Sequence, residues 1–185
     1  QPTSNMVSDF RKKKLLHVFS RFFDTDGSGS IEKDDFKTAI DRINKSRGWN
    51  AGDAKYKHVE ETMLKIWEGI EKAADSNNDG KVSQEEWFAM WDAFATKPFD
   101  WQNLYCKFAF ELEDASNDGA IDAEEFSSVQ ASFGLNKDDA VAAFQKMAKG
   151  KPQVTWAEFQ ELWKEYFLSD DVNAPGNYIF GKSSF

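Results

Sequence analysis

Three stretches of twelve residues, Asp24 to Asp35, Asp75 to Glu86 and Asp114 to Glu125, repeat one pattern, and that repeat decides what the chain can fold into. Each has Asp at its first position, Asp, Asn or Ser at the third and fifth, Gly at the sixth, an aliphatic residue at the eighth and a carboxylate at the twelfth. Apolar residues at helical spacing flank every copy. Leu16, Phe19 and Phe23 precede the first, and Phe36, Ala39, Ile40 and Ile43 follow it. Trp67, Ile70 and Ala74 precede the second, with Trp87, Met90, Trp91 and Phe94 after it. Cys106, Ala109 and Phe110 lead into the third, and Phe126, Val129 and Phe133 leave it. The spacing predicts helix, loop, helix, three times over.

The repeat has a chemical meaning. A calcium ion takes about 6 to 8 hard oxygen ligands, and a twelve-residue loop wrapped around it turns its first, third, fifth, seventh, ninth and twelfth positions inward. The seventh contributes only a backbone carbonyl, so Ser30, Lys81 and Ala120 can all stand there. The sixth must turn through a conformation that disfavours a side chain, which Gly29, Gly80 and Gly119 allow. The loops therefore read as EF-hands, each expected to hold one Ca2+. The first would use Asp24, Asp26, Ser28, Ser30 and Asp35; the second Asp75, Asn77, Asp79, Lys81 and Glu86; the third Asp114, Ser116, Asp118, Ala120 and Glu125. Glu86 and Glu125 can bind through both carboxylate oxygens, whereas Asp35 is one methylene shorter. The first loop is accordingly where Mg2+, which wants only six ligands at about 2.0 to 2.1 Å, should compete best.

The eighth-position aliphatics, Ile31, Val82 and Ile121, imply short strands that pair neighbouring hands, and pairing requires an even number. A fourth hand is found by its flanks: Val141, Phe144 and Met147 share one helical face, and Phe159, Leu162, Trp163 and Tyr166 share another behind Glu158. With Val154 at the eighth position and Glu158 at the twelfth, the first, third and fifth places fall on Met147, Lys149 and Lys151, and Pro152 takes the glycine's place. Ammonium groups cannot coordinate a cation, so this hand is read as a structural mate for the third. The expected fold is all-α, with four EF-hands in two pairs packed as one compact unit. Residues 8–96 would form the first pair, 97–168 the second, and 169–185 an apolar tail packed on the core.

Composition restricts the function classes. Lys+Arg number 23 against Asp+Glu 32, a net charge of -9, which argues against nucleic acid or an anionic membrane as a partner and favours metal ions. Cys106 is a single cysteine and cannot form an internal disulfide, and no segment approaches the roughly 18 apolar residues of a membrane span. Between Gln1 and Lys14 the basic run stands after rather than before any apolar stretch, so the segment does not read as a signal peptide. A cytoplasmic protein is the expectation. His17 and His58 stand apart from each other and from any nucleophile, so no enzyme is expected.

The silent fourth loop, the aromatic-rich second hand around Glu86, Trp87, Met90 and Trp91, and the tail Gly176-Asn177-Tyr178-Ile179-Phe180-Gly181 resemble the invertebrate sarcoplasmic calcium-binding proteins, and within them the calexcitins, which also end the first loop in Asp. The resemblance implies an all-helical calcium protein acting as a cytosolic buffer. The alternative it implies is a calcium sensor of the calexcitin type, signalling to a protein target such as a membrane channel. Calexcitins have been described as nucleotide-binding, and Gly176 to Ser183 matches the phosphate-loop pattern, with Asn136 to Asp139 matching a guanine-reading one. The context is wrong for GTP, because a phosphate loop must open a helix and only Ser184 and Phe185 follow Ser183. Asn136 is better read as a helix N-cap with Asp139 at the third helical position. Seven Trp and 17 Phe could line a chromophore cavity as in EF-hand photoproteins, but with two His and a broken fourth loop they are read as core.

Overall fold

The computed structural model describes residues 8–94 and 100–185, which are built almost wholly from helices. In chain order these are α1 (Asp9–Val18), a π-helical turn (Phe19–Phe23), β1 (Ser30–Glu32), α2 (Lys33–Arg47), α3 (Ala54–Ala74), β2 (Lys81–Ser83) and α4 (Gln84–Phe94). Then come α5 (Asp100–Glu113), β3 (Ala120–Asp122), α6 (Ala123–Ser132), α7 (Lys137–Met147), β4 (Gln153–Thr155), α8 (Trp156–Leu168) and a 3-10 turn (Pro175–Tyr178). The fold is all-α, with strands of three residues only. No described helix is long and apolar enough to cross a membrane.

The described residues form two compact units, one of residues 15–94 and 100–105, the other of residues 8–14 and 106–185. In each, two helix-loop-helix hands meet through one antiparallel strand pair: β1 with β2, placing Ile31 opposite Val82, and β3 with β4, placing Ile121 opposite Val154. Strands this short are not stable alone. Burial fixes them, since all four aliphatic side chains are at most 1% exposed.

Each strand leads into a helix by one device. The ninth loop position is the N-cap, and the twelfth is the third helical residue. Glu32 with Asp35, Asp122 with Glu125 and Thr155 with Glu158 form capping boxes, in which the twelfth-position carboxylate accepts the N-cap amide. In the second hand Glu86 accepts the Ser83 amide at 3.0 Å, and the Ser83 hydroxyl accepts the Glu86 amide at 3.1 Å. One carboxylate thus both ends each loop and caps the helix that follows.

The first unit is packed by aromatic rings. Trp87 is fully buried, donates its indole N–H to the Leu15 carbonyl at 3.0 Å, and lies edge-on to Phe19, Phe23 and Trp91. Trp101 and Tyr105, on the first turns of α5, seat against Trp87, Trp91 and Phe23. One expectation shifts here. Helical spacing puts Leu16 with Phe19 and Phe23 on the inner face, yet it is 36% exposed, while Leu15, Val18, Phe19, Phe22 and Phe23 are buried. The π turn is the cause. The Asp24 amide bonds the Phe19 carbonyl, five residues back, at 2.8 Å, and the extra residue lets both Phe22 and Phe23 turn inward while Leu16 stays at the margin. Pro98 and Phe99, whose apolar side chains in a short connection predict buried packing, lie outside the described residues.

In the second unit α6 and α7 form a helical hairpin, and Asn136 caps α7 by accepting the Asp139 amide at 2.9 Å, as its sequence position predicts. The tail lies on α8: the Phe180 ring contacts those of Trp163, Tyr166 and Phe167, and Ile179 is 1% exposed. Lys14 fastens the same region. Its ammonium is fully buried and donates to the Glu165 and Ser169 carbonyls at 3.3 and 2.9 Å and to Asn177 Oδ1 at 2.8 Å.

Candidate metal centres

Three groups of carboxylates gather among the described residues: Asp24, Asp26 and Asp35; Asp75, Asp79 and Glu86; Asp114, Asp118 and Glu125. In each group one oxygen from each carboxylate lies within 4.8 Å of the others. The backbone explains why like charges can stand so close. Asp24 accepts the Ser28 and Gly29 amides at 3.1 and 2.8 Å, Asp75 those of Asp79 and Gly80 at 3.2 and 2.9 Å, and Asp114 those of Asp118 and Gly119 at 3.2 and 3.0 Å. The first carboxylate thus winds each loop around itself. The sixth-position glycines make this turn at φ of 90, 78 and 85° for Gly29, Gly80 and Gly119, where an L side chain is strained.

The twelfth-position carboxylate closes the loop from the other side. Glu86 Oε2 accepts the Ser76 amide at 2.9 Å and its hydroxyl at 3.1 Å, and Glu125 Oε2 accepts the Ser116 amide at 2.8 Å. Asp35, though shorter, is held likewise, by the Asp26 amide at 3.2 Å, the Thr25 hydroxyl at 3.0 Å and the Glu32 amide at 2.8 Å. To reach them it sits deep, 2% exposed. The neutral positions lie on the same loops: the Ser28 hydroxyl donates to the Ser30 carbonyl at 3.0 Å, Asn77 Oδ1 accepts the Asp79 amide at 3.3 Å, and Ser116 donates its hydroxyl to Asp114 at 3.4 Å. Lys81 and Ala120 open β2 and β3, as Ser30 opens β1.

Protonation follows these contacts. Burial pushes the Asp35 carboxyl above the ordinary Asp range despite its amide and hydroxyl donors. The Ser28 amide and hydroxyl hold Asp26 below that range. Burial also works against the Glu86 anion, but the Ser83 and Ser76 donors outweigh it and leave Glu86 below the ordinary Glu range. Sequence reasoning missed the hydroxyls of Thr25 and Ser76, which steady the twelfth position from the second. It also missed the capping boxes, whose Ser-x-x-Glu and Thr-x-x-Glu signatures stand at Ser83 to Glu86 and Thr155 to Glu158.

In the fourth loop Met147 is buried in place of the first Asp, and Lys149 and Lys151 are exposed at the third and fifth positions. The tail's phosphate-loop pattern begins in a 3-10 turn, and the Gly176 amide there donates to the Glu165 carboxylate at 2.8 Å.

Known proteins match this arrangement. The family model for an EF-hand domain pair matches residues 3–42, and that for an EF hand matches residues 72–91 and 109–130. The sarcoplasmic calcium-binding proteins I, III and IV of Branchiostoma lanceolatum are 31% identical over 184 residues, covering 95% of this chain and 98% of theirs. Calexcitin-1 of Caenorhabditis elegans is 28% identical, covering 97% and 90%. A refined structure of a sarcoplasmic calcium-binding protein from amphioxus superposes with a TM-score of 0.77 at 29% identity, over 95% of this chain and 98% of the other.

Proposed function

Given a chain that belongs to the sarcoplasmic calcium-binding protein family of EF-hand proteins, we propose an intracellular calcium buffer that holds three Ca2+ ions, one in each of its first three loops. The observation that carries this reading is the threefold convergence of carboxylates within 4.8 Å, each around a first-position Asp and a twelfth-position carboxylate. Such clusters repel in the absence of a cation, and hard oxygen donors at twelve-residue spacing suit Ca2+. The ligands are those named from the sequence, with Ser30, Lys81 and Ala120 contributing carbonyl oxygens. The first site takes Mg2+ most readily, because Asp35 offers less reach than Glu.

Buffering is favoured over target recognition by what covers the apolar surface. A sensor that opens on calcium presents a groove rich in Met, whereas this chain has four Met against 17 Phe. The rings of Trp163, Tyr166 and Phe167 are covered by Phe180 of the chain itself. Calorimetric titration of calcium-free protein tests the assignment. Three ions are expected, and Glu86→Gln should remove one. A stoichiometry of four, or three ions still bound by Glu86→Gln, overturns it.

A further inference from the structure

Lys151 and Glu158 stand at the fifth and twelfth positions of the fourth loop, the two places that a bound ion would join in the other three. Their side chains form an ion pair, from Lys151 Nζ to Glu158 Oε2. The remaining oxygen, Oε1, accepts the Thr155 amide and hydroxyl at 2.9 and 3.1 Å. This repeats the division seen in Glu86 and Glu125, where one oxygen serves the N-cap amide and the other faces the start of the loop.

The backbone follows the other loops at two points. The fourth position is left-handed in all of them, with φ of 68° at Gly27, 57° at Asn78 and Asn117, and 80° at Gly150. Val154 pairs with Ile121 in the register that Val82 adopts with Ile31. The fourth hand therefore keeps the strand pairing and the left-handed fourth position of its neighbours, although Met147, Lys149 and Lys151 have removed its ligands, Pro152 replaces the glycine of the sixth position, and Lys149 is itself left-handed at φ 55°. Its twelfth-position carboxylate is kept, and the chain sets the Lys151 ammonium against it.

We propose that the Lys151 ammonium is the resident cation of the fourth loop. It compensates Glu158 where a metal ion would otherwise do so and holds the hand in shape at all calcium levels. Through the β3–β4 pair it presents the third loop preformed to Ca2+. This rests on the reading of the third loop as a calcium site. It implies that calcium binding within the second unit is a single, non-cooperative step, since the partner hand is already satisfied.

An ion pair this exposed, with 52% of the Lys151 and 36% of the Glu158 side chain accessible, shifts an equilibrium by about threefold. The full-length chain is compared with Lys151→Met, which keeps the apolar stem, and Lys151→Arg, which keeps the charge. Amide exchange of Ile121 and Val154 is measured without metal, and the Gly119 amide resonance is followed while Ca2+ is added. Lys151→Met should speed exchange and weaken third-loop binding, each by about threefold, and Lys151→Arg should restore both. An unchanged value of either quantity in Lys151→Met overturns the proposal. A Gly119 resonance that ignores Ca2+ in the unsubstituted chain overturns instead the calcium reading, and the metal-free exchange then judges the lysine by itself.

Discussion

At the scale of single residues, two buried charges carry the most information. Asp35 closes the first loop with a side chain one methylene short, and it meets its three donors only by sinking to 2% exposure. Asp35→Glu should add a ligand oxygen and raise the calcium-over-magnesium preference of the first site by about tenfold, or about 1.4 kcal/mol. Competition titrations check this, and an unchanged preference would sink the geometric argument. Lys14 is the other case. Burial, with the nearby Arg11 charge, lowers its pKa from 10.5 to about 8, against the opposing pull of Asp170, Glu165 and Asp171. Below pH 8 the fold carries the full cost of burying this ammonium. Between pH 8 and 10.5 the unfolded chain binds the extra proton, so stability rises with pH across that window, by at most about 3 kcal/mol. Urea unfolding of calcium-free protein and Lys14→Met at both ends of the window should show the lysine protein gaining on the variant as pH rises. The loop carboxylates were legible in the sequence because their spacing is local. Lys14 was not: in the run Lys12, Lys13, Lys14 nothing local marks one as buried, and the choice is made by carbonyls some 150 residues away.

Among the elements, helix boundaries follow from the repeat, because the same carboxylates that converge in the loops also cap the helices. The strand pairings were legible too, since Val154 could be aligned with Ile121 even where the loop chemistry is lost. The π turn was not legible. An extra residue in a helix leaves the apolar period nearly intact, and Leu15 and Leu16 are equally apolar, so only packing distinguishes them. Close approach between α3 and α5 was equally hidden. A Cβ built on Gly69 would lie 2.5 Å from Trp101 Cβ. Gly69→Ala should therefore destabilise the first unit by about 1–3 kcal/mol, despite the better helix propensity of Ala. Chemical denaturation followed by tryptophan emission measures it, and a gain in stability would show that the contact is not limiting.

For the molecule as a whole, the large apolar side chains left exposed among the described residues are Leu16, Leu168 and Val172. Calcium should tighten such a protein without opening it. An apolar-surface dye, added with magnesium present before saturation with calcium, should gain little fluorescence; a large gain, or calcium-dependent retention on a hydrophobic resin, would favour a sensor. The indoles of the first unit offer a label-free readout of a different kind. Trp87, Trp91 and Trp101 stand with ring centroids 5.6, 5.9 and 6.2 Å apart. Chromophores at such spacing share an absorbed photon rather than holding it singly, and their mixed transitions produce paired bands of opposite sign in circular dichroism. Trp101→Phe should collapse that couplet to the weaker signal of two rings, so the chain carries its own optical gauge of whether the start of α5 is in its seat.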